Sequence, residues 1–180
     1  MANRDTTSRT IAVAVALCIV CSVIVSTAAV MLRPAQVANK SLDFKRNILL
    51  AANMLQDGVS VEEQFSVVDA KVIDLSTGKY TDAISGEGYD QIKAAKDSKL
   101  SDSLSAETDI AGISRREKYS MVYLVKEQGK LSKIVLPIRG YGLWSTLKGF
   151  VALEADLNTV IGLGYYEHGE TPGLGCEVDN

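Results

Sequence analysis

The chain has 180 residues, a formal net charge of −3 and 47% hydrophobic residues, which fits one domain plus an anchor. Its mild acidity offers no basic patch or stripe for nucleic acid, and no RNP, zinc-finger or basic-zipper pattern occurs in it. Three cysteines, Cys18, Cys21 and Cys176, two of them inside one apolar run, do not make a disulfide framework.

That run comes first in the chain. Ile11 to Leu32, "IAVAVALCIVCSVIVSTAAVML", carries no charge over 22 residues, and a bilayer core takes about 20 apolar residues as a helix. Arg9 stands before it and Arg33-Pro34 after it. The expectation is a tail over 1–10, a single transmembrane helix over 11–32 and a soluble region over 33–180. The run is longer than the apolar part of a signal peptide. Cys18 and Cys21 share one face of that helix. They read either as two small apolar residues or as half of a metal or redox site that a partner completes, because a tetrahedral site needs two more ligands. Arg33, Lys40, Lys45 and Arg46 beyond the helix outnumber Arg4 and Arg9 before it. A simple count therefore puts the soluble region in the cytoplasm, although long domains translocate largely regardless of charge.

In the soluble region, "SLDFKRNILLAANML" (41–55) lines up Phe44, Ile48, Ala51, Ala52 and Leu55 on one helical face. Ser60 and Glu63 form a capping box for a short helix carrying Val61, Phe65 and Val68. "KVIDLSTGKY" reads as a strand with a turn at Ser76–Gly78. Residues 81–118 are polar and weakly periodic, and read as irregular structure with short helical pieces. Met121–Lys126 and Leu131–Ile138 around "EQGK" predict a hairpin. Further strands are expected over Gly149–Leu153 and Thr159–Tyr166. The class is α+β: an anchor, one or two helices, then an antiparallel sheet.

Familiar catalytic patterns are missing. There is no G-x-S-x-G elbow, no H-E-x-x-H, and "STGKYTD" lacks the leading glycine and the following Ser/Thr of a phosphate loop. His168 is the only histidine, and no third group orients a His168–Cys176 pair toward nucleophilic chemistry. Two glycine-rich segments remain, "RGYGLWS" (139–145) and "HGETPGLG" (168–175), each after a strand. Glycines let backbone approach a ligand closely, and their N–H groups can face an anion or a ring carbonyl. Trp144 can lie against a planar ring with Leu174 opposite, while Glu170 and Thr171 offer an acceptor and a hydroxyl. The alternative is two tight loops with Trp144 in the core.

The whole chain resembles the NqrC family, the C subunits of the sodium-translocating NADH:quinone oxidoreductases, Nqr. The N-terminal helix, the polar middle, "PIRGYGLWSTLKGF" and "HGETPGLG" carry the resemblance; "ETPGLG" is shared with the G subunit of Rnf complexes, whereas "RGYGLWS" favours Nqr. The resemblance implies an FMN-binding α+β domain, an electron-relay flavoprotein that works with the other Nqr subunits. It implies a membrane translocase that oxidises NADH, reduces ubiquinone and exports Na⁺. It also implies a bacterial inner membrane with the N-terminus cytoplasmic and the domain periplasmic, against the charge count. Residue by residue, the family's glycine–tryptophan loop matches Gly140, Tyr141, Gly142, Leu143, Trp144 and Ser145. Its flavin-proximal loop matches Glu170, Thr171, Pro172, Gly173, Leu174 and Gly175. No residue is implied to be an acid–base catalyst. The family joins FMN through its phosphate to a threonine in S-G-A-T followed by two residues and Thr or Ser, and these 180 residues do not contain that motif. The expectation is therefore a subunit ending before its acceptor threonine. Two other readings stand beside this one: a G-type subunit of an Rnf ferredoxin:NAD oxidoreductase, and a membrane-anchored assembly or binding protein without a redox role.

Overall fold

The computed structural model describes residues 6–86 and 88–171. The chain divides into two compact units, Met1–Ser41 and Leu42–Asn180. Helix α1 runs over Thr7–Ala51, so the two expected helices are one element. Pro34 lies inside it. Proline removes a single intrahelical hydrogen bond and crowds the carbonyl four residues back, and the Ala, Gln, Lys and Leu residues that follow are strong helix formers. In the first unit, Ile11, Val15, Ile19, Val23, Val30 and their neighbours are all exposed. A helix apolar all round suits an apolar environment. Among the described residues α1 is the one helix long and apolar enough to cross a membrane, by length and composition.

In the second unit the last turns of α1 pack on an antiparallel sheet. Ala52 and Asn53 close the helix, with Asn53 at φ 51°, so Leu55 falls outside it. Ser60 caps α2 (Val61–Phe65) by accepting the Glu63 N–H, as the capping pattern predicts. Val68 leaves that helix and opens β1 (Val68–Asp74). The Asp74 carboxylate accepts the Ser76 N–H at 2.8 Å and its hydroxyl at 2.6 Å, folding the turn into β2 (Lys79–Tyr80). After the polar middle come β5 (Tyr119–Glu127), β6 (Lys130–Tyr141), β7 (Thr146–Glu154) and β8 (Val160–Glu167). Gln128 and Gly129 both have positive φ, the two-residue turn that matches strand twist. The sheet order is β2-β1-β5-β6-β7-β8, and every pair is antiparallel.

The register explains the core. One row runs Tyr123, Val135, Ala152 and Gly162 across four strands. Side-chain size falls along it, and α1 ends over the small side: a Cβ on Gly162 would lie 2.3 Å from the Ala51 carbonyl oxygen. Glycine is thus required by close backbone approach. Around this contact Ile48, Ala51, Ala52, Val72, Met121, Tyr123, Val135, Phe150 and Ala152 form the core. Phe150 stacks on Tyr166 at 5.0 Å and meets the edge of Phe44 at 5.1 Å.

The polar middle holds more order than its composition suggests. Helix α3 (Gln91–Lys96) is capped by Asp90, and β3 (Ser101–Ser103) pairs with β4 (Arg115–Glu117) in a small second sheet. Three-residue polar strands carry no alternation to read. Arg115 stitches them together by donating to the Ser101 and Ser103 hydroxyls and the Ser101 carbonyl.

Burial pushes the Tyr166 hydroxyl up to about 12, with Glu167 and Asp90 adding to the effect. The Tyr89 hydroxyl, which donates to the Tyr119 carbonyl at 2.8 Å, likewise lies at about 12 through burial, with Glu117, Tyr119 and Asp90 adding. An unfolded tyrosine ionises near 10. Above that pH the unfolded chain has released protons that the folded chain still holds, so stability falls as pH rises from 10 toward 12. The thermal midpoint should drop over this window, with phenolate absorbance near 295 nm delayed in the folded protein. Complete phenolate formation near pH 10 with an unmoved midpoint would contradict this.

Candidate functional site

The β6–β7 hairpin closes on "GLWS". Tyr141 pairs with Thr146, and the Gly142 N–H donates to the Ser145 carbonyl at 2.7 Å. The strands run farther toward the loop than their apolar runs suggest, so "RGY" of "RGYGLWS" belongs to β6. Four residues remain to turn the chain. Leu143 and Trp144, at 78% and 68% exposed, project from it, and the core reading for Trp144 is set aside.

The end of β8 reaches the same place. Past Glu167, the Gly169 N–H donates to the Ser145 hydroxyl at 2.8 Å. Glu170 then turns its carboxylate onto the loop. Oε1 accepts the Ser145 N–H at 2.9 Å and its hydroxyl at 3.0 Å, and the Trp144 N–H lies 3.2 Å from each oxygen. The Glu170 N–H donates to His168 Nδ1 at 3.2 Å. Gly142 makes room: a Cβ there would stand 2.6 Å from Glu170 Oε1. Burial works to raise the Glu170 carboxyl, but the Trp144 and Ser145 donors and His168 outweigh it and hold it below its ordinary value.

The structure thus brings Gly142, Leu143, Trp144, Ser145, Glu170 and Thr171 to one end of the sheet. Pro172, Gly173, Leu174 and Gly175, and Cys176 with them, lie outside the described residues. Glu170 differs from its expected part as a free acceptor for a ligand, because its acceptor capacity goes mainly to the neighbouring loop. Thr171 is exposed.

Beside this junction a cavity of about 530 Å³ is lined in part by Lys96, Arg115, Arg139, Lys148, Glu167 and His168, and Ser145 and Gly169 form its edge with the loops. Lys148 pairs with Glu167, and Arg139 with the buried Glu117 at 2.6 Å. Sequence reasoning missed this cluster. Its cations come from α3, β4, β6 and β7, far apart in the chain, and only the tertiary fold collects them. Cys18 and Cys21 are exposed on α1, and no group of three or more His, Cys, Asp or Glu side chains suited to a metal occurs among the described residues.

An exposed indole and leucine on a carboxylate-braced glycine loop, next to a cation-rich cavity, suit a flat ligand with an anionic end. The FMN-binding domain family matches residues 142–179, the stretch that holds both loops. The C subunit of the Na(+)-translocating NADH-quinone reductase from Pseudomonas aeruginosa is 55% identical over 184 residues, spanning 100% of this chain and 70% of that protein. The C subunit of the same reductase from Vibrio vulnificus is 49% identical over 181 residues, spanning 100% of this chain and 71% of the other. The crystal structure of Shewanella oneidensis NqrC superposes with a TM-score of 0.73 at 37% identity, covering 79% of this chain and 66% of that one. The corresponding C subunit of Parabacteroides distasonis does so with a TM-score of 0.61 at 25% identity, covering 83% and 64%. Full-chain identity, fold and the family matched at the two loops converge, and the chain belongs to the NqrC family, the C subunits of the Na(+)-translocating NADH-quinone reductases, with an FMN-binding domain of α+β architecture.

Proposed function

We propose that this chain is the flavin-bearing electron-relay subunit of a membrane complex that couples NADH oxidation and ubiquinone reduction to Na⁺ export, and that FMN sits against the 142–145 and 168–175 loops. The observation that carries the site is the presentation of Trp144 and Leu143 to solvent on a loop whose backbone donors are held by Glu170. An exposed indole beside fixed backbone suits an isoalloxazine face, since aromatic pairs favour offset or edge contacts. The cavity places Lys96 and Arg115 toward an anionic end, with Arg139 and Lys148 beside them already paired to Glu117 and Glu167. FMN, when bound, supplies the reversible one-electron chemistry, and the protein supplies position, electrostatics and protection from water. No side chain of this chain is asked to move a proton.

Membrane attachment through α1, with the N-terminus cytoplasmic and the domain periplasmic, belongs to the same proposal. So does phosphoester linkage of FMN to a threonine, whose S-G-A-T context does not occur in these 180 residues.

Intact-mass spectrometry of the protein purified from its native membranes tests the reading. The polypeptide mass plus one FMN, with the visible absorption of flavin, is the expected result; the bare polypeptide mass and a colourless preparation would overturn it. In protein made without covalent flavin attachment, Trp144→Ala should weaken the binding of free FMN about two- to tenfold, the loss of one aromatic contact of about 0.5–1.5 kcal/mol. Unchanged affinity would remove Trp144 from the site.

A further inference from the structure

We propose that Glu170 is a positioning residue of this site: its carboxylate braces the 142–145 loop and so sets how Trp144 meets the cofactor. The second half of this inference rests on the flavin reading; the first does not.

Within the hairpin the loop is held by the Gly142 N–H on the Ser145 carbonyl at 2.7 Å and the Tyr141 hydroxyl on the Trp144 carbonyl at 3.5 Å, and neither engages the Trp144 or Ser145 N–H. Leu143 and Trp144 are exposed, so apolar burial cannot fix their backbone, and glycine at 142 adds conformational freedom. Against that, donors separated from Glu170 by 25 and 26 residues converge on its one carboxyl group. The N–H groups of Trp144 and Ser145 are consecutive. Holding both on one anchor orients the two peptide planes that flank the Trp144 Cα, and with them the direction of its side chain. The Ser145 hydroxyl closes the circuit by donating to Glu170 Oε1 and accepting the Gly169 N–H. Glu170 itself is 8% exposed, and the Gly142 position leaves space for it where a Cβ would intrude. A carboxylate suits the task because it accepts at both oxygens and donates at neither, whereas a carboxamide sets an NH₂ against incoming N–H groups. Hydrogen bonds to an ionised acceptor are also about twice as strong as neutral ones.

The test is residue-resolved amide exchange on the purified membrane protein, comparing wild type with Glu170→Ala and Glu170→Gln. It is read together with the anisotropy of Trp144, the single tryptophan, and with the visible spectrum and reduction midpoint of bound flavin. In Glu170→Ala the Trp144 and Ser145 amides should exchange at least about tenfold faster while β5 and β6 keep their protection, as a local opening requires. Trp144 anisotropy should fall. Glu170→Gln, which keeps one acceptor oxygen, should lie between. In flavin-loaded protein, Glu170→Ala should shift both the absorption band and the midpoint. Unchanged exchange at Trp144 and Ser145 would overturn the brace. Faster exchange with an unmoved flavin spectrum and midpoint would overturn the link to the cofactor and leave a purely structural brace. If Glu170→Ala also loosens β5 and β6, Glu170→Gln decides: it keeps the side-chain volume but only one acceptor oxygen, and unaltered Trp144 and Ser145 amides there would overturn the brace. A wild-type protein without flavin sinks the flavin reading and the cofactor half together, while amide exchange still judges the brace.

Discussion

Replacing Arg139 with methionine is expected to lower the unfolding free energy of the sheet unit by about 3–5 kcal/mol, the range for removing one partner of a buried ion pair. Arg139 Nη2 lies 2.6 Å from Glu117 Oε2 and 2.8 Å from the Arg115 carbonyl, and the two side chains of the pair are only 13% and 8% exposed. Methionine fills the space of the stem but leaves Glu117 charged, buried and without its cation, and strips the Arg115 carbonyl of a donor. The pair also joins the two sheets: Arg139 is on β6 and Glu117 on β4. The double variant Arg139→Met with Glu117→Leu should recover most of the loss, because the penalty comes from the stranded charge more than from the missing attraction. Chemical unfolding followed by far-UV circular dichroism reads both variants. A loss below about 1 kcal/mol for the single variant, the range of solvent-exposed pairs, would mean that water reaches Glu117.

Phe150→Ala should cost a similar amount, about 3–5 kcal/mol, by removing a buried aromatic ring and leaving a cavity. Phe150 is fully buried. It lies between Phe44 of α1, Tyr123 of β5 and Tyr166 of β8, at centroid distances of 5.1, 6.1 and 5.0 Å. Partial collapse is resisted from one side, since the Gly162–Ala51 contact already brings helix and sheet backbones together. The same unfolding experiment measures it. A loss under about 1.5 kcal/mol, the cost of a volume-conserving swap, would show that the neighbouring rings close the gap.

Local rules made several elements legible. The charge-free run from Ile11 to Leu32 announced a long helix, the Ser60–Glu63 spacing a helix start, and Ser76–Gly78 a turn. The runs on either side of "EQGK" announced a hairpin. Each depends on residues close in sequence, where capping, turn chemistry and periodicity act directly. The glycine–tryptophan segment and "HGETPGLG" stood out for the same reason: unusual residues packed into few positions.

Other features had no local signal. Pro34 and Arg33 suggested a break, yet the helix continues to Ala51, because one lost hydrogen bond is tolerated within a long stretch of good helix formers. Ser101–Ser103 and Arg115–Glu117 are strands only because Arg115 and their mutual pairing make them so. Glu170 offered a carboxylate to a ligand in the sequence reading; the fold turns it inward, onto Trp144 and Ser145.

The sequence by itself determined the anchor-like helix, the α+β class, the main hairpin and the two loops, since these follow from composition and spacing within short windows. Only the tertiary structure decided the strand order β2-β1-β5-β6-β7-β8, the size-graded row from Tyr123 to Gly162 beneath the end of α1, the Arg139–Glu117 link and the grip of Glu170 on Trp144. The physical reason is that each is a pairing between residues remote in the chain. A hydrogen bond or a close contact of that kind is set by the register in which strands meet, and no single segment carries that register.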